Sequence, residues 1–329
     1  MATNVFVHGY MGWGSYDAQY KAMPYWGMFT GDLLKRLRKE GFECYAASVK
    51  PQGSAWDRAC ELYAQLTGTR TDYGALHAAR FHHDRYGPDF TGKPLVPVWD
   101  AEHPINLFGH SFGGPTVLYF AELMTNGQRA EAAQPDASPF FKGGHADWLH
   151  SVVTLAGTNN GTTMVGATGG TPDTAIYDMA IDHAVSVNRT MRLDPDTYYF
   201  ACPCDTTTRQ SDGSLRMDES KTEKAFVQTG NQMVRSRGVT PLGVVIDESW
   251  AHNDGLVNSV AAGAPFGQPK KDLSTGDFLQ ALPEVEPGLW NVFPPYDGDH
   301  MTQMGGFFKR NKDVDRYYRD QITLLDFLK

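Results

Sequence analysis

The chain has 329 residues, 41% of them hydrophobic and 20% charged, and its formal net charge is −9. These values are typical of a globular protein with a sizeable core, and the acidic balance argues against nucleic acid and anionic membrane surfaces as main partners. No apolar run approaches the roughly 20 residues of a membrane-spanning helix, so we expect no transmembrane segment.

The N-terminus and the cysteines bear on the cellular compartment. No basic region followed by an apolar run precedes the first β-prone segment, so we expect an intracellular protein or one whose signal peptide was removed. The four cysteines are too few for a disulfide framework. Cys202 and Cys204 flank a proline, but two thiols alone do not make a zinc site, and we expect both at the end of a strand.

The first predicted strand, Asn4–Val7, runs into His8-Gly9-Tyr10. A glycine after a strand lets the backbone turn, so that the next amide can point into a site where negative charge develops. We therefore predict the backbone N–H of Tyr10 as one donor of an oxyanion hole. A plain glycine-rich turn is the alternative.

The first third of the chain then alternates between helical and β-prone segments. Three histidines and an acidic residue, His77, His82, His83 and Asp84, fall close together after Thr71, and we expect them on one helical stretch. The predicted elements are a helix over Asp32–Glu40, a strand over Phe42–Val49, a helix from Ser54 to about Leu66, the helical stretch opening at Thr71, and a loop over Gly87–Pro97.

A nucleophile-elbow pattern, G-x-S-x-G, occupies Gly109–Gly113. An apolar run from Ile105 precedes it, and a helix-like run from Pro115 follows. Ser111 would sit on a strained turn at which side chains at positions 109 and 113 collide with the neighbouring strand and helix. This context favours a real elbow over a chance match, with the N–H of Phe112 as the second oxyanion donor.

The rest of the chain supplies more strands and a closing helix. Strands separated by helical segments predict an α/β fold with a mostly parallel sheet and helices on both faces, in one domain over residues 1–329. The predicted elements are a surface excursion over Asn126–Gly144, strands over Ser151–Gly157, Thr197–Ala201 and Leu289–Phe293, a flexible rim over Asn159–Thr171, a short apolar run over Gly243–Ile246, and a helix over Asp315–Leu328.

A serine nucleophile needs a base, usually histidine, and a carboxylate that fixes the base. In the α/β-hydrolase order the carboxylate and then the histidine follow the serine. His300 alone, of the five histidines after Ser111, lies beyond the last predicted strand. Asp254 is the favoured acid, with Asp205 and Asp247 as competitors.

These motifs resemble the zinc-containing lipases of Bacillus and Geobacillus type, which are α/β-hydrolases. The resemblance covers most of the chain and implies Ser111 as nucleophile, Asp254 as acid and His300 as base. It also implies cap elements at about 54–90 and 158–196, and secretion. The matching segments are His8–Tyr10, Tyr25–Gly27, Trp56–Glu61, Asp72–Ala75, His110–Gly114, Asn253–Asn258 and Asp299–His300.

The resemblance further implies a structural zinc held by Asp57, His77, His83 and Asp173. Two imidazoles and two carboxylates give the closed tetrahedral set that structural zinc requires. The metal would tie the 57–83 segment to the chain near 173. His82 does not match the family pattern, and we expect it to face solvent.

Two departures from the family stand out. Gly161-Thr162-Thr163 is followed almost at once by Asp173, so most of the family's helical lid is absent. The acidic residues of the family's calcium site are missing from Met301–Gly305, so we expect no calcium there.

The function expected from the sequence is a serine carboxylic-ester hydrolase, a lipase or esterase that acts on acylglycerols or other esters. A polyester-degrading esterase, an acyltransferase or a peptidase uses the same fold and triad. A non-catalytic α/β-hydrolase that only binds its ligand is the alternative of another class. The sequence does not indicate an oligomeric state.

Overall fold

The computed structural model describes residues 2–306 and 309–328. Its strands are β1 (Thr3–Val7), β2 (Cys44–Ala47), β3 (Arg70–Asp72), β4 (Tyr86–Asp89), β5 (Ile105–His110), β6 (Leu149–Leu155), β7 (Tyr198–Cys202), β8 (Cys204–Asp205), β9 (Thr207–Arg209), β10 (Leu215–Met217), β11 (Gly238–Val239), β12 (Val245–Ile246), β13 (Lys270–Asp272), β14 (Trp290–Val292) and β15 (Tyr296–Asp297). Its α-helices are α1 (Leu33–Lys39), α2 (Ala55–Thr67), α3 (Ala75–Phe81), α4 (Gly113–Asn126), α5 (Arg129–Ala132), α6 (Ala175–Asp178), α7 (Ile181–Asn188), α8 (Lys224–Val234), α9 (Phe278–Ala281) and α10 (Asn311–Phe327).

A seven-stranded sheet forms the centre of the fold, in the order β13-β14-β7-β6-β5-β1-β2. All six neighbouring pairs are parallel. Because both faces of a parallel sheet are covered, its central strands are mostly apolar, and every residue of β5 is buried. The predicted α/β-hydrolase fold is confirmed.

Alternate residues of each strand enter two separate cores, one on each face of the sheet. Leu107 of β5 packs in the core under α2 and α4. Its neighbour Phe108 packs in the core under α1 and α10. No helix within the described ranges is both long enough and apolar enough to cross a bilayer.

The helix predicted from Thr71 through Asp84 was wrong at both ends. Thr71 belongs to β3, which pairs antiparallel with β4, and Gly74 has φ +95°, outside the helical range. The helix α3 covers only Ala75–Phe81 and stops at His82, whose φ is +60°. His83 therefore lies in the turn after the helix.

Two other segments are less exposed than predicted. Within the supposed surface excursion, Phe140 and Phe141 are fully buried in the core beneath α4. Asn159 and Asn160 begin the supposed flexible rim but are also buried, and Asn159 donates to the carbonyl of Gly263 at 2.9 Å. Both predictions assumed that a polar stretch faces solvent, whereas the two phenylalanines pack in the core and the amide nitrogens of Asn159 and Asn160 donate to buried carbonyls.

The far edge of the sheet was not fully predicted. The short strand β13, rich in lysine and aspartate, forms the edge beside β14. The apolar run Gly243–Ile246 lies outside the sheet, since its strand β12 pairs only with β11. Short edge strands with charged residues give little sequence signal.

The two predicted cap segments contact each other beside the sheet. The backbone N–H of Ala55 donates to Asp178 Oδ2 at 2.6 Å, and Gly53 and Thr174 form an isolated β-bridge. These contacts join the start of α2 to the chain around α6. The single-domain division and the limits of the cap remain predictions.

Candidate active site and metal centre

Ser111 lies in the turn between β5 and α4. Its φ of +56° is in the left-handed region that non-glycine residues avoid. A Cβ on Gly109 would lie 2.3 Å from the carbonyl oxygen of Gly113, and one on Gly113 would lie 2.3 Å from that of Val7. The two glycines therefore allow the turn to pack against its own helix and against β1.

Three predicted residues meet at this turn. Ser111 Oγ lies 2.8 Å from His300 Nε2, and His300 Nδ1 lies 2.8 Å from Asp254 Oδ2. Asp254 is fully buried. Because its carboxylate can only accept, Nδ1–H donates the hydrogen bond, and Nε2 is left as the acceptor for the serine hydroxyl. The arrangement can move a proton from Ser111 to His300.

The competing carboxylates lie elsewhere. Asp205 pairs with His252 at 2.6 Å, and Asp247 accepts from the hydroxyl of Ser249 at the surface. Neither pairs with His300 in the described part of the chain. Asp254 is also anchored, because its Oδ1 accepts the backbone N–H of Val257 at 2.8 Å.

Asp299, which precedes His300, was not singled out from the sequence. It is buried and accepts the N–H of Glu223 at 2.8 Å and the hydroxyl of Thr302 at 2.9 Å. Burial raises the pKa of Asp299, and the nearby charge of Asp254 acts in the same direction. Asp299 thus fixes the turn that carries His300, and its position in the Asp299-His300 pair was the only sequence signal.

Tyr10 and Phe112, the two predicted oxyanion donors, flank Ser111. A Cβ on Gly9 would lie 2.7 Å from Ser111 Cβ, so the loop that carries Tyr10 runs directly past the serine. Among the described residues, no hydrogen bond uses the backbone N–H of Tyr10 or of Phe112. Both amides are free to donate to a ligand.

A buried chain of hydrogen bonds, also missed from the sequence, joins this loop to His300. The N–H of Gly9 donates to Tyr25 Oη at 2.8 Å, and the Tyr25 hydroxyl lies 2.8 Å from His110 Nδ1. His110 Nε2 lies 2.9 Å from the carbonyl oxygen of His300 and must donate to it. Burial and the charge of His300 keep the pKa of His110 well below its usual range, so its Nδ1 accepts from Tyr25.

The four predicted metal ligands form a cluster of their own. One ligand atom from each of Asp57, His77, His83 and Asp173 lies within 4.8 Å of all the others. His77 Nε2 lies 3.2 Å from Asp57 Oδ1 and 3.1 Å from Asp173 Oδ1. Asp57 comes from α2, His77 from α3 and His83 from the turn after α3. Asp173, at φ +63°, precedes α6.

The chemistry of this cluster fits a cation. Within the described ranges, Asp57 Oδ2, His83 Nε2 and Asp173 Oδ1 are buried and form no well-aligned hydrogen bond. Each has only an ion-pair contact of 3.1–3.5 Å, which is costly unless another group satisfies them. Although burial opposes protonation, the carboxylates of Asp173 and Asp57 raise the pKa of His77 to about 9. The cluster therefore attracts positive charge, and a divalent metal would supply it.

Glu131 supports the cluster and was not predicted. This buried carboxylate accepts the backbone N–H of His77 at 2.6 Å and of Leu76 at 3.1 Å. It thus satisfies the first turn of α3, which otherwise lacks a side-chain cap. His82, in contrast, is exposed as expected.

Comparisons with known proteins agree with this geometry. A family model described as lipase-like, C-terminal domain matches residues 2–172. Lipase 2 of Staphylococcus aureus is 27% identical over 382 residues, which cover 97% of this chain and 53% of the relative. Lipase 1 of the same species is also 27% identical. The chain spans about half the length of the curated relatives it matches.

Three solved structures are similar over nearly the whole chain. EstA from Clostridium botulinum has a TM-score of 0.87 and 29% identity, and covers 98% of this chain and 87% of its own. The lipase of Staphylococcus hyicus has a TM-score of 0.84 and 26% identity, and the match covers 99% of this chain and 95% of that lipase. Lipase 1 from Pelosinus fermentans has a TM-score of 0.80 and 26% identity, and the match covers 100% of this chain and 98% of that lipase.

Proposed function

We propose that this chain, which belongs to the lipase-like, C-terminal domain family, hydrolyses carboxylic esters through an acyl-enzyme on Ser111. The observation that carries the proposal is the contact of Ser111 Oγ with His300 Nε2 at 2.8 Å, on a histidine whose other nitrogen is bound to buried Asp254. A serine at its ordinary pKa is a weak nucleophile, and this contact supplies the base it needs.

In the first step Ser111 Oγ attacks the ester carbonyl while His300 Nε2 takes its proton. Asp254 holds the imidazole in one tautomer and stabilises the imidazolium that forms. The N–H groups of Tyr10 and Phe112 donate to the oxyanion, and each such donor is typically worth about 3 kcal/mol. His300 then returns the proton to the leaving alcohol. Water repeats the sequence on the acyl-enzyme and frees the acid.

A short segment without a helix after Asn159 supports a broad range of esters. Between Asn159 and Asp173 the chain has turns and no helix, and the side chain of Met164 is 41% exposed. The alignment with the staphylococcal lipases spans 382 residues, longer than this chain, so those relatives have residues that it lacks. We propose that the lid of the family is shortened. The enzyme would then accept short acyl chains or bulky polyester segments.

The lid proposal has a direct test. Activity should rise in proportion to dissolved ester, with little jump when the ester passes its solubility limit. A sharp jump at the oil–water interface would contradict the proposal. An assay with an added alcohol separates hydrolysis from acyl transfer, since a transferase forms the new ester faster than the free acid.

We also propose zinc as the metal of the Asp57–His77–His83–Asp173 cluster. Two imidazoles and two carboxylates leave no open position, which suits a structural rather than a catalytic ion. The bound metal would tie α2 and α3 to the segment before α6. Metal analysis of protein purified without chelator should find close to one equivalent of zinc, and a small fraction of one equivalent would refute the assignment.

Partner and compartment follow from the same reasoning. The net charge of −9 supports an ester ligand rather than nucleic acid, and the resemblance to the family supports action outside the cell. Fractionation of the source culture tests the second point, since activity should appear in the medium.

Replacement of Ser111 with Ala tests the central assignment. It should abolish hydrolysis of a short p-nitrophenyl ester, with the circular dichroism spectrum unchanged. Hydrolysis at the wild-type rate would overturn the proposal.

A further inference from the structure

Arg58 on α2 is a buried cation that forms no salt bridge within the described residues, although the charges of Glu61 and Asp178 favour its protonated form. Its side chain is 0% exposed, and within residues 2–306 and 309–328 no carboxylate lies within 4.0 Å of its guanidinium. Burial of an unpaired charge is costly, so such a residue is retained when its charge serves another purpose. Although burial lowers the pKa of Arg58 to about 10, the group stays protonated at neutral pH.

The guanidinium donates instead to the backbone of the loop that carries Tyr10. Its Nη2 donates to the carbonyl oxygen of His8, and its Nη1 lies 3.4 Å from that of Gly9. The same guanidinium lies 4.9 Å from the ring centre of Phe112. Arg58 therefore touches both segments that carry the proposed oxyanion donors.

His8 holds the same carbonyl. Its Nδ1 lies 2.8 Å from the Gly9 oxygen, and its Nε2 accepts the N–H of Val49 at 3.3 Å. Burial and the neighbouring charge of Arg58 lower the pKa of His8 to about 3, so the ring is neutral. A neutral ring with Nε2 as acceptor must carry its proton on Nδ1, which then donates to Gly9.

Gly9 is thus fixed on both sides. Its N–H donates to Tyr25 Oη at 2.8 Å, and its carbonyl accepts from the Gly12 N–H at 3.1 Å and from His8 Nδ1 at 2.8 Å, with Arg58 Nη1 at 3.4 Å. The Gly9 carbonyl and the Tyr10 N–H belong to one peptide unit, and in a trans peptide they point in opposite directions. Because these donors hold the carbonyl on one side, the N–H of Tyr10 points away from them, to the opposite side of the peptide unit.

The charge adds to this effect. A cation behind the carbonyl draws electron density along the peptide and makes the opposite N–H a stronger donor. In a water-excluded site such fixed charges act more strongly than in solvent. The benefit appears when negative charge develops in front of Tyr10, and not when the neutral ester binds.

We propose that Arg58, together with His8, is a positioning residue of the oxyanion hole that aims and polarises the N–H of Tyr10 through the carbonyl of Gly9. The inference rests on the proposed ester hydrolysis at Ser111. Because the effect acts on the transition state and not on ester binding, loss of Arg58 should lower kcat and leave KM nearly unchanged.

The experiment compares Arg58→Met, which keeps the length of the side chain, with Arg58→Lys, which keeps the charge. Arg36→Met is the control, because Arg36 is a partly buried arginine that lies away from the loop and pairs with Asp315 at 2.7 Å in an ion pair between α1 and α10. For p-nitrophenyl butyrate we expect Arg58→Met to lower kcat about 10- to 100-fold with KM within about threefold. Arg58→Lys should restore part of the loss, and Arg36→Met should keep the wild-type kcat.

A trifluoromethyl ketone, which adds to the serine as a tetrahedral oxyanion, gives a second readout. Its Ki should rise in Arg58→Met by the same factor by which kcat/KM falls. A kcat within twofold of wild type, or a loss confined to KM, would overturn the inference. If Arg58→Met does not fold, Arg58→Gln decides, because it also removes the charge: an unchanged Ki for the ketone contradicts the proposal and a raised Ki supports it.

The Ser111→Ala variant distinguishes failure of the proposed function from failure of the proposed role of Arg58. If it hydrolyses the ester at the wild-type rate, the proposed function fails. If it is inactive while Arg58→Met turns over at the wild-type rate, only the role of Arg58 fails.

Discussion

Ser111 and His300 are 189 positions apart in the chain, yet Ser111 Oγ and His300 Nε2 lie 2.8 Å from each other. The elbow between β5 and α4 fixes the serine, and the turn after β15 fixes the histidine. The histidine is held at three further points: Nδ1 contacts the Asp254 carboxylate, its backbone N–H donates to the Asp254 carbonyl at 2.9 Å, and its own carbonyl accepts from His110. The contact between Ser111 and His300 therefore depends on several segments that are far apart in the sequence.

Replacement of Asp254 with Asn should lower kcat about 10³- to 10⁴-fold, because the amide no longer selects the tautomer that leaves Nε2 free to accept. The loss should appear in single-turnover kinetics with the same ester. Asp247→Asn is the control, since that carboxylate binds only at the surface. Equal rates for the two variants would show that Asp254 is not the acid.

Removal of the metal should lower thermal stability more than it changes the chemistry, because the cluster lies in the cap and not at Ser111. Asp57→Asn should lower Tm by roughly 5–10 °C, corresponding to a few kcal/mol, while kcat at 25 °C stays near wild type. Asp100→Asn is the control, because Asp100 pairs with His103 at 2.8 Å on the exposed surface. Scanning calorimetry with and without chelator measures the effect, and a wild-type Tm that ignores the chelator would argue against a structural metal.

Replacement of Gly113 with Ala should destabilise the fold by at least about 2 kcal/mol. The new Cβ would lie 2.3 Å from the carbonyl oxygen of Val7, and a backbone atom in a buried strand cannot yield. Gly276→Ala is the matched control, since nothing lies within 4 Å of the Cβ built there. Urea unfolding compares the two, and similar midpoints would mean that β1 and α4 are not packed this closely.

The pH dependence of stability should reveal the lowered pKa of His8 in the folded protein. Its pKa is about 3 in the fold against 6.5 when unfolded, so between these values the unfolded state binds more protons and stability falls as pH falls. Relative to a His8→Asn variant, the wild type should lose up to about 1.4 kcal/mol per pH unit below pH 6.5. Other titrating groups, such as Glu61 with its raised pKa, cancel in the difference. A gap between the two proteins that does not change with pH would mean that folding does not lower the pKa of His8.

The sequence predicts local structure well where residues adjacent in the chain determine the backbone conformation. The elbow is local, because the glycines at 109 and 113 and the serine between them decide the turn by themselves. The lipase family and the parallel sheet were likewise predictable, and both are confirmed. The roles of Ser111, Asp254 and His300 remain predictions for the variants above.

What the sequence did not reveal depends on contacts between distant segments. Three aspartates were plausible partners for His300, and only the fold brings Asp254 to it. Arg58, Tyr25 and His110 act through backbone carbonyls and amides, which leave no side-chain pattern to read. The helix wrongly extended from Thr71 to Asp84 failed for a similar reason, because the pairing of β3 with β4 overrides local helical preference.

Reaction with a fluorophosphonate, followed by peptide mapping, tests the central claim most directly. Such a reagent labels only a serine that a neighbouring base has activated. We predict one label per chain on Ser111, no label in Ser111→Ala, and much slower labelling in His300→Gln. A label on another residue, or labelling of His300→Gln at the wild-type rate, would contradict Ser111 as a nucleophile activated by His300.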